Sequence, residues 1–232
     1  MHMLISTNTL KALQNFATIN PNIVVTEGSS TIRTVSEAKN IMARAETEDT
    51  FNAGFGIFDL NEFLSAVNII SAPEFEFNWD SITIKSTNSK SSIKYFCANP
   101  SILTSPTSDI TDPAYEIAID LTQANIAAIK RASTVLGHDR FSFVKDADSP
   151  SVSVQVADVN NKSSNVYREV VGEVDTSEEF QFDFLIANLK MVPGDYKVEL
   201  SSKFISRWSP ASSNTPKIAY WLAIETTGKY NA

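Results

Sequence analysis

At 232 residues, with 43% hydrophobic and 10% aromatic side chains, the chain can bury one large core or two ordinary ones, which excludes intrinsic disorder. Seven glycines and nine prolines exclude collagen-like repeats, and no apolar run approaches the roughly 18 residues of a membrane helix, so a soluble globular protein with no membrane contact is expected. A net charge of −8, from 27 acids against 19 bases, excludes long-range capture of nucleic acid by bulk charge and leaves only local or topological contact.

The start of the chain, His2 to Ile5, turns polar at Ser6 before an apolar stretch of signal-peptide length accumulates, so a cytoplasmic location is expected. From Ser6 to Ile19, Leu10, Leu13, Phe16 and Ala17 recur at helical spacing while Thr7, Lys11 and Gln14 share the other face; Pro21 ends this helix. Ile23 to Ala45 is β-branched and polar, with Glu27-Gly28-Ser29-Ser30 as a turn between strands. An aromatic strand from Phe51 to Phe58 leads to Asp59, a good N-cap for a short helix striped by Leu60, Phe63, Leu64 and Val67. Three alternating segments, Phe75 to Trp79, Ser81 to Lys85 and Ser92 to Phe96, read as a meander.

Between Ala98 and Pro113, three prolines among serines and threonines mark an extended connector. The plan then repeats. A strand from Tyr115 to Leu121 precedes a helix from Thr122 to Leu136. Strands follow at Phe141 to Val144, Val152 to Val156, Tyr167 to Val171 and Phe180 to Phe184, then a short helix from Ile186 to Met191 and final strands at Asp195 to Leu200 and Lys217 to Glu225. Leu10 and Ile126 occupy equivalent places in the two copies, as do Leu60 and Ile186. Two similar domains, 1–105 and 106–232, are therefore expected, in an α+β fold with helices on antiparallel sheets.

Catalytic chemistry is not visible. The lone Cys97 lies among apolar residues and reads as a small buried hydrophobe; two histidines are too few for a metal centre. No nucleophile elbow accompanies the serines, His138-Asp139 falls in a helix-to-strand turn, and Gly54-Phe55-Gly56 is followed by Asp59 where a dinucleotide loop needs a small residue. The acids of Glu46 to Asp49 and Glu173 to Glu179 sit in polar turns with no apolar shell to shift them. No enzyme, metal or cofactor is expected.

Four segments carry a family likeness: Asn15-Phe16-Ala17-Thr18-Ile19-Asn20, Phe58-Asp59-Leu60-Asn61-Glu62-Phe63-Leu64, Ala98-Asn99-Pro100-Ser101, and the run Ala187-Asn188-Leu189-Lys190-Met191-Val192-Pro193-Gly194-Asp195-Tyr196-Lys197. In order and nearly over the full length, they resemble the sliding clamps of T4-type bacteriophages. The resemblance weakens through Lys145 to Ser177 and Phe204 to Pro216. It implies a DNA-clamp fold with two helices per domain, assembled as a homotrimeric ring around duplex DNA. It also implies a clamp loader, the replicative DNA polymerase and late-transcription factors as partners, in the cytoplasm of an infected bacterium. A β-rich, ring-forming virion structural protein is the competing expectation from composition.

The resemblance turns the four helices toward DNA. Lys11 and Gln14 on the first, Lys130 and Arg131 on the third and Lys190 on the fourth are then the candidate DNA contacts, although the family pattern has a basic residue at the positions of Gln14 and Thr134. The family receives partner peptides in an apolar pocket beside the connector. Here that implies Ile110 from the connector, Tyr220 and Leu222 from the last strand, and Val35 from the first half. Along a strand, side chains alternate in facing, so either Trp221 or the pair Tyr220 and Leu222 must point inward.

Overall fold

The computed structural model describes residues 2–106, 108–161 and 163–230. These divide into two compact units, Met1–Asp109 with Thr215–Ile218, and Ile110–Asn214 with Ala219–Ala232.

The first unit runs β1 (His2–Met3), α1 (Thr7–Ile19), β2 (Ile23–Val25), β3 (Thr31–Val35), β4 (Ile41–Glu46), β5 (Phe55–Ile57), α2 (Leu60–Ile69), β6 (Pro73–Phe77), β7 (Ser81–Ser86) and β8 (Ser92–Phe96). β1, β6, β7 and β8 form an antiparallel sheet in that order, β2 pairs with β5, and β3 pairs with β4. Alternation places Phe75, Phe77, Ile82 and Ile84 on the buried side of the sheet, against Phe63 of α2.

The second unit repeats the order with β9 (Ile117–Leu121), α3 (Gln123–Leu136), β10 (Arg140–Lys145), β11 (Ser151–Val156), β12 (Tyr167–Glu173), β13 (Phe180–Leu185), β14 (Tyr196–Ser201), β15 (Ile205–Pro210), β16 (Ile218–Ala223) and β17 (Glu225–Tyr230). β9, β14, β15 and β16 pair as β1, β6, β7 and β8 do. β10 pairs with β13 as β2 does with β5, and β11 with β12 as β3 does with β4. β17 is an addition on the far side of β13. Phe141, Phe143, Phe184, Tyr196 and Trp208 form one aromatic core, with Phe141 stacked on Phe184 at 5.1 Å.

Three expectations need correction. The aromatic strand expected from Phe51 is only Phe55–Ile57. The fourth helix, expected from Ile186 to Met191, is a single 3₁₀ turn over Ile186–Asn188, so the described residues hold three α-helices. Its continuation is blocked by the core. The hydroxyl of Tyr220 accepts from the Val192 amide at 3.1 Å and that of Tyr196 donates to the Val192 carbonyl at 2.6 Å, so this peptide is satisfied without helical partners. Finally, β15 escapes the apolar pattern because the residues it buries are Ser206 and Trp208. Ser206 Oγ donates to the Leu222 carbonyl and accepts from Trp208 Nε1, a polar pair that breaks the alternation.

Candidate functional site

Two helices carry the basic candidates. α1 begins at Ser6, whose hydroxyl accepts from the Thr9 amide at 3.1 Å, and buries Ala12, Leu13, Phe16 and Ile19. Thr7, Lys11, Gln14 and Thr18 stay exposed along its opposite face, at helical spacing. α3 begins with a reciprocal cap between Thr122 and Asn125 and ends at Gly137, whose φ of 71° favours a residue without Cβ. It buries Ile126 and Ile129 and exposes Lys130, Arg131 and Thr134.

The only ionisable side chains on α1 and α3 are Lys11, Lys130 and Arg131, all basic, although the chain as a whole is acidic. α2 is different: its only charged side chain is Glu62. Burial against the groove beside Met191 and Val192 lowers the Lys130 pKa, although the residue as a whole is exposed. Arg131 lines a second groove of about 490 Å³ with Val135, Leu136, Val166 and Tyr167. There the Tyr167 hydroxyl is pushed up to about 12, first by burial and then by its hydrogen bond to Glu169. Lys190 is half-buried and follows the 3₁₀ turn, its amide donating to the Asn188 carbonyl at 2.8 Å; it does not project from a helix.

The partner candidates separate. Ile110 and Val35 are half-buried, and the Val35 carbonyl accepts from Asn20 Nδ2, which also donates to Thr104 of the connector. Tyr220 and Leu222 are 1% and 0% exposed, and Trp221 is 6% exposed. The expectation that Tyr220 and Leu222 rim an open pocket is therefore corrected. Tyr220 stacks edge-on against Tyr196 and holds the Val192 amide, so it is a core residue. Alternation does not separate an inner from an outer face here because both sides of this strand are covered.

The connector carries two acids that the sequence pattern did not single out. Asp109 accepts a forked pair of hydrogen bonds from Arg33, one at 2.9 Å, and lies 3.4 Å from Arg44 Nε. The Arg33 hydrogen bond holds the Asp109 carboxyl below its usual range. Asp112 accepts from Arg207 at 3.0 Å, Trp221 Nε1 at 2.7 Å and Tyr115 at 2.8 Å. Each acid fastens the connector within its own unit. They are the only charged residues between Lys94 and Glu116, and that isolation was the available signal. Beside Arg33, a groove of about 550 Å³ is lined by Val24, Thr26, Pro100, Leu103 and Pro106. Gly56 underlies it: a Cβ there would stand 2.7 Å from the Ala98 carbonyl and from Leu103.

Cys97 is half-buried, less enclosed than expected, and its thiol is pushed up to about 11 by burial and then by Asp80. Among the described residues, no three His, Cys, Asp or Glu side chains converge as a metal would need, and no helix is long and apolar enough to cross a membrane.

Solved structures that share this fold include clamps. The chain aligns over 97% of its length with the PCNA2–PCNA3 complex of Sulfolobus tokodaii (TM-score 0.69, 8% identity, 99% of that chain). It aligns equally far with A. fulgidus PCNA bound by the C-terminal region of FEN-1 (TM-score 0.68, 17% identity, 98% of that chain). The clamp fold is thereby defined. At the sequence level, the family model described as "gp45 sliding clamp, C terminal" matches residues 118–226. The sliding clamp of Vibrio phage KVP40 is 29% identical over 96% of this chain and 99% of the relative, and that of Escherichia phage RB69 is 26% identical over 99% and 100%. Over nearly its whole length the chain is thus similar to the sliding clamps of T4-type phages. The competing expectation of a virion structural ring finds no support in these matches.

Proposed function

We infer that this chain is one subunit of a homotrimeric ring that encircles duplex DNA without reading its sequence and tethers the replicative DNA polymerase. A clamp loader places it on DNA, and late-transcription factors are further partners, in the cytoplasm of an infected bacterial host. The protein acts by position and catalyses no reaction. The observation that carries this reading is the end-to-end match with T4-type clamps, 96% of this chain on 99% of the KVP40 protein, because a closed ring needs both halves of each subunit.

The charge distribution supports the DNA side. A trimer would carry a formal charge of about three times −8, yet α1 and α3 bear only basic charges. Acids farther than a Debye length, about 8 to 10 Å, scarcely oppose those few bases. Lys11, Gln14, Lys130, Arg131 and Lys190 are the proposed DNA-facing residues, and weak phosphate contacts leave the ring free to slide. The outermost strands β8 and β12 expose Phe96 at 65% and Val170 at 62%, and these edges are the proposed subunit seam, joined head to tail. For partner peptides, Ile110 and Val35 remain the proposed contacts, beside the connector groove.

The test is topological retention. Loaded onto nicked circular duplex by its cognate loader, the protein should stay bound through a wash and be lost once the circle is cut. Equal retention on circular and linear DNA would overturn the ring.

A further inference from the structure

The pairing of β3 with β4 sets Arg33 directly opposite Arg44. Like charges in that position repel, so the arrangement is destabilising unless an anion bridges them. The bridge is Asp109 of the connector, which accepts from Nε and Nη2 of Arg33. It serves Arg44 poorly. Arg44 Nε stands 3.4 Å from Asp109 Oδ1 and is buried without a hydrogen bond, while Glu46, 73% exposed, accepts from Arg44 Nη2 at 3.1 Å. A buried donor left unmet is costly, and a carboxylate seated between the two guanidiniums would satisfy it, as tethered Asp109 does not. The groove of about 550 Å³ beside Arg33 is lined by apolar Val24, Pro100, Leu103 and Pro106 and by the hydroxyls of Thr31 and Ser105, and Arg33 is its only charged lining residue among those described.

We propose that Arg33 and Arg44 form a receptor for a carboxylate side chain of an extended partner peptide lying in this groove, and that Asp109 is its internal occupant, exchanged when the peptide binds. Charge and lining together select that partner. The paired guanidiniums match a carboxylate, which already fills them, and Val24 and Leu103 offer apolar surface that a peptide can cover and a DNA phosphate cannot. The proposal rests on the reading of the connector groove as a peptide site and adds what the peptide must carry. On exchange the connector loses its fastening to Arg33, while Asp112 keeps its own to Arg207, Trp221 and Tyr115.

The experiment measures fluorescence anisotropy of a labelled, C-terminally amidated peptide, Leu-Ser-Val-Glu-Leu-Pro, and of its counterpart with Gln in place of Glu, against the full-length, DNA-free protein at low salt. Asp109→Asn vacates the fork, so the Glu peptide should bind about fivefold more tightly to that variant than to the unsubstituted protein, and the Gln peptide should bind both equally. Adding Arg33→Gln and Arg44→Gln should abolish the difference between the peptides, with folding checked by thermal denaturation. A Glu peptide indifferent to Asp109→Asn, or a preference for it that survives loss of both arginines, overturns the proposal. So does a gain in affinity for short duplex DNA that exceeds the gain for the Glu peptide, since the fork would then be a phosphate contact. If the two peptides bind every form equally, the carboxylate receptor falls and the groove stands as a peptide site; if neither binds any form, both fall.

Discussion

The two units share one strand order and part at their second helical segment. In the first, Asp59 accepts from the amides of Asn61 at 2.9 Å and Glu62 at 3.2 Å, and α2 runs for ten residues. In the second, the turn starts after Leu185, which offers no side-chain cap, and stops after three residues; four residues farther on, Tyr196 and Tyr220 take the Val192 peptide. A helix at this place is thus a local decision between a cap and competing core hydroxyls, while the sheet pairing around it is held by long-range burial. Charge separates the helices as well: α1 and α3 carry only bases, and α2 only Glu62.

The largest effect should come from removing what ends the short turn. Tyr220→Ala deletes a side chain only 1% exposed and should cost about 3–5 kcal/mol of stability in urea denaturation. Tyr220→Phe keeps the ring but strands the Val192 amide, at about 1–3 kcal/mol. On the first unit, Asp59→Ala should cost about 1 kcal/mol by loss of the α2 cap, measured the same way. The charge contrast is sharpened by Lys130→Ala combined with Arg131→Ala. Loading should fall and the dependence of DNA affinity on salt should flatten, by about 0.9 in log–log slope for each phosphate no longer neutralised, while the assembled mass in solution is that of the unsubstituted oligomer less the deleted side chains. Equal affinity at every salt concentration would remove α3 from the DNA side.

The smallest effect concerns the connector. Asp109 is half-exposed, so Asp109→Asn should cost less than about 1 kcal/mol. Its folded pKa is depressed below 3.8, so the contribution of this ion pair is present above that pH and is lost as pH falls through the lower, folded value. In about 1 M salt, the wild type and Asp109→Asn should converge in thermal denaturation.

Much of this architecture was legible because apolar periodicity marks elements that bury one face. The stripes of Leu13 and Phe16, of Leu60 and Phe63, and of Phe75 and Phe77 all became core. Periodicity failed where buried positions are polar, at Ser206 in β15, and where the pattern is sparse, in β17 with Thr226, Thr227 and Gly228. The surfaces were less legible than the fold. Lys11, Lys130 and Arg131 could be placed on exposed helix faces from spacing alone. Lys190 could not, because its helix does not form, and Tyr220 could not, because burial on both sides of a strand leaves no period to read.

The central claim, a ring of three identical subunits, is met most directly by mass in solution. Native mass spectrometry or light scattering at micromolar concentration should give about 76.5 kDa, three times the 25.5 kDa chain. A single species at 25.5 kDa under the same conditions would contradict it.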